Sequence, residues 1–248
     1  MVCDLPRTRV FNYYEAEEGT RMEFRLIYDG PLPSEQCEGD GKRGRAEDKQ
    51  RLRKHFHLQL RELWKLDVGL KTQAETYLTE DPNAKNLFAH VDAKPRTFIV
   101  CPPTQVGAKK YLDRIADDHI RCNGNRFVPL VSMAGGFTCS LDILFLRRDS
   151  PGNIFVESGG DIDNRIKVLF DGLRMPRDVK ELGGLPIEAD EDPFYCLLED
   201  DKLITSISVT TDRLIIPRKS SQQENDVVLV IHATVVNPLA LFAGGRLI

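Results

Sequence analysis

The chain has 248 residues, of which 41% are hydrophobic and 29% are charged, so its length suits one large domain or two small ones. This composition excludes collagen-like, low-complexity and wholly disordered proteins. The formal net charge of −4 by itself indicates neither a nucleic-acid coat nor a protein of membrane surfaces.

The first part of the chain predicts a strand, a long loop and a helix. Residues 22–28 have the composition of a strand, and the segment after them is rich in Gly, Pro and charged residues, which is typical of a loop. Across Asp48–Leu66, apolar residues recur at three- and four-residue steps, which is the period of a helix.

This predicted helix lies in the most basic part of the chain. Between Lys42 and Lys65 there are nine Lys and Arg residues and three acidic residues. A cationic helix face can contact DNA phosphates, and a solvated face without a ligand is the alternative. The candidate DNA contacts are Arg51, Lys54 and Arg61.

The middle of the chain predicts a short strand, a helix and a core strand. Residues 67–96 are polar and favour no element, residues 97–101 indicate a strand, and residues 105–121 return to helical spacing. In residues 137–148, alternate positions place five apolar residues on one face, so we expect a core strand that begins after the Gly135-Gly136 turn; the five are Phe137, Cys139, Leu141, Ile143 and Phe145.

The last part predicts a helix and two strands. We expect a helix over Asp163–Leu173, a loop from Met175 to about Tyr195, and strands over about 202–216 and 226–236 that pair as a hairpin with a long polar tip. Because strands and helices do not alternate steadily, the order favours an α+β fold, a mixed sheet with packed helices, in one domain that carries insertions.

Two compositional features bear on the compartment. The six cysteines include no C-x-x-C pair, which predicts reduced thiols and no zinc ribbon. No run approaches the ~18 apolar residues of a membrane span, and the acidic start does not resemble a signal peptide. We therefore expect a cytoplasmic protein that does not cross a membrane.

The segment from Gly159 to Leu173 carries the most specific pattern. At ~100° per residue, its predicted helix has an apolar arc and, beside it, a narrow polar arc. The apolar arc contains Ile166, Leu169, Phe170 and Leu173, and the polar arc contains Asp163, Lys167 and Asp171. Asp161 or Asp163 could instead cap the helix, and the polar arc could be a surface ion-pair ladder.

A second acidic group, Glu199-Asp200-Asp201, directly precedes a predicted strand. Adjacent carboxylates repel one another unless a cation or a base lies between them. Asp161, Asp163 and Asp201 are therefore candidate ligands for Mg²⁺, with Mn²⁺ as a substitute, because a hard divalent cation prefers oxygen ligands. Lys167 would then stabilise developing negative charge, which is the chemistry of phosphodiester hydrolysis.

The order D-x-D-N-x-x-K-x-x-x-D, followed later by a D-D pair before a strand, resembles the RusA-type Holliday-junction resolvases. The matching positions are Asp161, Asp163, Asn164, Lys167, Asp171, Asp200 and Asp201. The resemblance implies a homodimeric, Mg²⁺-dependent endodeoxyribonuclease that acts on branched DNA in recombination and repair. It also implies that Asp161, Asp163 and Asp201 bind the metal ion and that Lys167 assists catalysis. Asn164, Asp171 and Asp200 would support the site.

The resemblance covers about residues 22–66 and 127–236 of a single RusA-like domain. Typical members of the family are roughly half as long, which marks residues 67–126 and 174–198 as insertions. Two other functions fit the same residues: a non-catalytic DNA-binding or assembly protein on this fold, and a metal-dependent hydrolase of a small phosphoester. A DNA-binding or assembly protein would differ from a nuclease in showing no metal-dependent DNA cleavage. A hydrolase of a small phosphoester would have a deep closed pocket.

Two further polar groups are candidate functional sites. Asp117-Asp118-His119 could form a second metal or proton-transfer site, although a polar helix surface is the more common reason for such a run. The acidic run Glu188–Asp192 lies in the second insertion and is expected to be mostly solvated.

Overall fold

The computed structural model of the chain describes residues 21–33, 41–80, 98–148, 162–215 and 226–236. It confirms an α+β fold of helices packed on mixed and antiparallel sheets. The helices are α1 (Gly41–Leu66), α2 (Val68–Glu75), α3 (Tyr111–Asp118) and α4 (Ile162–Leu173). The strands are β1 (Arg21–Pro31), β2 (Tyr77–Glu80), β3 (Phe98–Val100), β4 (Lys109–Lys110), β5 (Ile120–Arg121), β6 (Asn125–Val131), β7 (Thr138–Arg147), β8 (Phe194–Leu198), β9 (Ile204–Arg213) and β10 (Asp226–Val236).

The largest sheet has the strand order β1-β10-β7-β9. β10 pairs antiparallel with both β1 and β7, whereas β9 pairs parallel with β7. Because parallel neighbours need a crossover connection, the chain passes through α4 between β7 and β9. This crossover places Asp163 in the first turn of α4 and the second acidic group after β8.

The predicted hairpin of the last two strands is wrong. Both strands exist, but β7 lies between β9 and β10 in the sheet. β10 pairs antiparallel with one edge of β7. β9 pairs parallel with the other edge of β7, after the crossover. A polar connector between two strands is therefore not sufficient to predict that they pair.

Several boundaries also differ from the predictions. α1 begins at Gly41 instead of Asp48, and α3 spans only Tyr111–Asp118 because the residues on either side of it form β4 and β5. β8 lies partly in the segment that the sequence indicated as a loop, and β6 was not predicted. Among the described residues, no helix is both long and apolar enough to cross a bilayer.

The core lies between the inner face of the largest sheet and helices α1 and α4. The predicted inward residues of β7 are buried: Cys139, Leu141, Ile143 and Phe145. α1 crosses α4 at Gly172, where an added Cβ would lie 2.7 Å from Cβ of Leu52. This close crossing fixes α4, and so the Asp163 turn, relative to the basic helix. The described cysteines, Cys101, Cys122, Cys139 and Cys196, are free and buried, as the reduced-thiol prediction requires.

We expect the substitution Gly183→Ala to lower the free energy of unfolding by about 2–4 kcal/mol. Gly183 has a left-handed backbone with φ of 60°, and an added Cβ would overlap the backbone of Glu47 at the start of α1. Gly124→Ala is the matched control, because Gly124 also has positive φ (93°) but its added Cβ meets no atom within 4 Å. Urea denaturation of both variants tests this, and equal losses would contradict the overlap with α1.

Candidate functional site

The first turn of α4 presents a carboxylate and an ammonium group to solvent. Lys167 Nζ lies 3.0 Å from Asp163 Oδ2, and the two side chains are 58% and 54% exposed. Lys167 Nζ also donates to Asn164 Oδ1 at 3.4 Å. This geometry agrees with the predicted polar arc at its N-terminal end. Asp161, the other predicted ligand of this motif, lies outside the described residues.

The buried side of the same turn contains two polar residues that the apolar arc did not predict. Asn164 and Arg165 are both buried, and Arg165 Nη1 donates to the Leu32 carbonyl oxygen at 2.6 Å. Leu32 follows the last residue of β1, at the end of the sheet where β7 and β9 also finish. Arg165 therefore anchors the first turn of α4 to that end of the sheet.

Asp171 belongs to a chain of alternating charges at the other end of α4. Its carboxylate contacts Lys49 Nζ at 2.7 Å and the Arg174 guanidinium. Arg174 and the buried Arg53 both contact Glu181, at 3.0 and 3.1 Å. Burial tends to raise the pKa of Asp171, but the hydrogen bond from Lys49 and the charge of Arg174 outweigh it and lower the pKa. The contacts of Asp171 are thus structural.

Asp200 and Asp201 form a close carboxylate pair directly before β9. The Asp200 side chain accepts a hydrogen bond from the Lys202 backbone nitrogen at 3.1 Å. Partial burial and a hydrogen bond with Asp200 raise the pKa of Asp201. Burial also acts to raise the pKa of Asp200, but the Lys202 amide and the hydrogen bond with Asp201 lower it. Arg177 Nη2 lies 3.8 and 3.6 Å from the two carboxylates. Two adjacent carboxylates repel one another, and a cation bound between them would relieve that repulsion.

The two acidic groups lie at opposite ends of the fold within one chain. Asp163 is in the turn of α4 that is anchored where β9 ends, whereas Asp201 lies where β9 begins. α4, which lies between them, has 12 residues, so at ~1.5 Å per residue its two ends are ~18 Å apart. Within the described ranges, no group of three His, Cys, Asp or Glu residues could hold a metal ion. The structure thus pairs Asp163 with Lys167 and Asp200 with Asp201, but it does not bring these pairs together.

Glu199 connects the acidic group to the first insertion, a contact that sequence reasoning missed. Its carboxylate accepts a hydrogen bond from the Met133 backbone nitrogen at 2.9 Å and lies 3.8 Å from His119 Nε2 and 3.7 Å from Arg121. The His119 side chain lowers the pKa of Glu199 most, and the Met133 amide contributes. The signal in the sequence was the His119 run, whose partner lies 80 residues away and could not be identified from spacing.

The acidic run of the second insertion lies along the basic helix. Glu191 contacts Lys54 Nζ at 2.7 Å, and Arg61 donates to the backbone oxygen of Asp190 at 3.2 Å. Arg51 is more exposed and pairs with Glu47 within α1. The expectation that the run is mostly solvated holds for Asp190, which is exposed, but not for Glu191, whose side chain is 14% exposed. All three candidate DNA contacts therefore already have partners within the chain, Lys54 and Arg61 in the second insertion and Arg51 in its own helix.

The buried face of α1 also contains a neutral histidine, His57. Its Nδ1 accepts a hydrogen bond from the Tyr195 backbone nitrogen at 2.9 Å, and its ring stacks on Phe194. Burial lowers the pKa of His57 from 6.5 to about 4. The unfolded chain therefore binds a proton first as the pH falls, so stability is lost between about pH 6.5 and pH 4.

We expect the free energy of unfolding to fall by about 2 kcal/mol between pH 7 and pH 5 because the His57 imidazole takes up a proton more readily in the unfolded chain. Urea denaturation at the two pH values measures this loss in the natural chain and in His57→Gln. The variant should lose correspondingly less on acidification. An equal loss in both proteins would show that His57 is not the titrating group.

Comparison of the chain with family models, with curated proteins and with solved structures found no match. The resemblance to the resolvases therefore rests on the order of the motif residues. The geometry around Asp163 and Asp201 is the structural basis on which a function can be proposed.

Proposed function

We propose that the chain is a cytoplasmic, Mg²⁺-dependent endodeoxyribonuclease of RusA type that cuts branched DNA, including Holliday junctions, as a homodimer. The observation that carries the proposal is the Asp200–Asp201 pair, two interacting carboxylates directly before β9 and beside the Arg177 guanidinium. A divalent cation bound by the two groups would remove the repulsion between them.

The remaining motif residues fit roles around such a cation. Asp161, Asp163 and Asp201 supply the carboxylate oxygens that Mg²⁺ prefers. When bound, the ion polarises a phosphoryl oxygen and lowers the pKa of a bound water. Lys167, 3.0 Å from Asp163, neutralises charge on the phosphate as it reacts. Asn164 orients Lys167, and Asp171 fixes the C-terminal end of α4 through Lys49 and Arg174.

The proposal requires the dimer because of the geometry of a single chain. With Asp163 in the first turn of α4 and Asp201 beyond its other end, the two residues can share an ion only if two copies meet in antiparallel orientation. A two-fold axis produces this arrangement twice in one dimer.

The alternative is a non-catalytic DNA-binding or assembly protein on the same fold. The same separation of Asp163 from Asp201 favours it, because a single chain does not assemble the three ligands. It predicts that the chain binds DNA without cutting it. It also predicts that substitution of the carboxylates does not abolish this binding.

A gel assay on purified protein tests the proposal. Four-way junction, fork, linear duplex and single-stranded DNA are incubated with Mg²⁺, with Mn²⁺ or with EDTA. We expect symmetric cuts in the junction with either metal ion and none with EDTA. Cutting of the other forms would retain a nuclease but not the branched substrate, and binding without any cutting would support the alternative.

A further inference from the structure

A small cavity lies at the end of the largest sheet where β1 begins and β10 ends. Its volume is about 40 Å³, which is room for roughly three water molecules or for one apolar side chain. Arg21 and Val235 line it on the side of the sheet. The rest of its wall comes from α1, α2, α3, β6 and the turn before β7 and is mainly apolar. This wall includes Trp64, Leu70, Tyr111, Ile115, Leu130 and Phe137.

The wall of this cavity contains a hydrogen-bond donor without a partner. Trp64 is 5% exposed, and its indole Nε1 has no acceptor among the residues that the structure describes. A buried N–H group without an acceptor is destabilising, and the lining of an empty apolar cavity loses dispersion contacts. An occupant that offers both an apolar side chain and a carbonyl oxygen would relieve both costs.

Two segments outside the described residues adjoin this cavity in the sequence, because residues 1–20 precede Arg21 and residues 237–248 follow Val236. The first of them has three glutamates in the six positions directly before Arg21. Carboxylates are costly to place in an apolar cavity. The acidic segment is therefore poorly suited to fill it.

The second segment has the composition of an occupant. Positions 237–245 include no charged residue, and three of them are the large apolar residues Leu239, Leu241 and Phe242. Pro238 prevents the chain from continuing as β10, because β10 lies between two other strands and proline cannot donate a hydrogen bond to a neighbour. We therefore expect the chain to turn away from the sheet directly beside the cavity.

We propose that residues 239–242 dock in this cavity. A leucine side chain fills the apolar space, and a backbone carbonyl oxygen of the segment accepts a hydrogen bond from Trp64 Nε1. Because Val235 belongs to the cavity wall, the segment is tethered at a high effective concentration, so one side chain and one hydrogen bond are sufficient for docking. The docked segment joins α1, α2 and α3 to the end of the sheet, and it does so independently of the proposed nuclease function.

Tryptophan fluorescence and NMR test the docking directly, because Trp64 is the only tryptophan of the chain. The test variant is Leu239→Asp with Leu241→Asp, which places two carboxylates on the proposed occupant. Leu247→Asp with Ile248→Asp is the matched control, because it adds the same charges to the same segment beyond its two adjacent glycines. The readouts are quenching of Trp64 by acrylamide and exchange of its indole proton with solvent, with circular dichroism as the check on folding.

We expect the test variant to raise the quenching constant at least about twofold and to speed exchange of the indole proton at least about tenfold, because the cavity opens to solvent. The control should behave like the natural chain. If the test variant does not fold, Leu239→Ala with Leu241→Ala replaces it, since this change removes apolar bulk without adding charge. Unchanged quenching and exchange in a folded variant overturn the proposal and leave the cavity to a separate ligand. An equal rise in variant and control also overturns it, because residues 239–242 would then not be the occupant.

Discussion

Replacement of Glu181 by glutamine is expected to lower the free energy of unfolding by about 3–5 kcal/mol. The Glu181 carboxylate contacts two guanidinium groups, those of Arg53 and Arg174. Both arginines are buried, with 1% and 4% of their surface exposed. A neutral glutamine keeps the shape of the side chain but leaves two buried cations with less compensating charge. The loss of stability comes from these two arginines. A buried charge that loses its partner costs more free energy than the intact pair contributed.

Urea denaturation of Glu181→Gln beside the natural chain measures this effect. Glu62→Gln is the control, because Glu62 pairs with Lys65 on the exposed surface of the same helix that carries Arg53, and exposed pairs contribute little. We expect the control to unfold like the natural chain. If Glu181→Gln did so too, the alternating network would not stabilise the fold.

The network changes how the second insertion is understood. The sequence marked residues 174–198 as an addition to a compact domain, yet Glu181, Gly183 and Glu191 each pack against α1. A segment that neutralises buried cations and closes over a core helix is part of the fold. It also brings Arg177 beside Asp200 and Asp201, so it contributes to the electrostatics of the acidic pair.

The elements that the sequence predicted well are those with a strong local period. β1, β7 and α4 follow from alternation or from helical spacing within a single window. Both polar ends of the site were found in the same way: Asp163 and Lys167 are one helical turn apart, and Asp200-Asp201 stands at a strand boundary.

The features that the sequence did not predict depend on distant partners. The pairing of β9 with β7 follows from the crossover, and no local pattern distinguishes it from a hairpin with β10. Arg165 is buried because Leu32, at the far end of β1, accepts its hydrogen bond. The separation of Asp163 from Asp201 likewise follows from the direction in which α4 crosses the sheet, which the residue spacing does not contain.

That separation leads to the second large effect. Asp163→Asn and Asp201→Asn are each expected to reduce DNA cleavage by roughly 10³-fold, because each removes a carboxylate from the proposed metal site. Asp163 is half-exposed and Asp201 is 41% exposed, so neither change should alter the fold. Circular dichroism and DNA binding in EDTA check that the variants remain folded and competent to bind.

Mixing the two inactive variants distinguishes a site shared between protomers from a site within one chain. If Asp163 acts with the partner's Asp201, half of the dimers in an equal, fully exchanged mixture are mixed, and each of these contains one site with both natural residues. The mixture should then regain about a quarter of the natural activity. A site within one chain would have one substituted ligand in every copy, so the mixture would stay inactive. Mixing Asp163→Asn with Lys167→Ala is the control, because both changes lie in the same turn of α4 and every shared site retains one of them. Recovery in the first mixture and not in the second would show that Asp163 of one protomer and Asp201 of the other form one site.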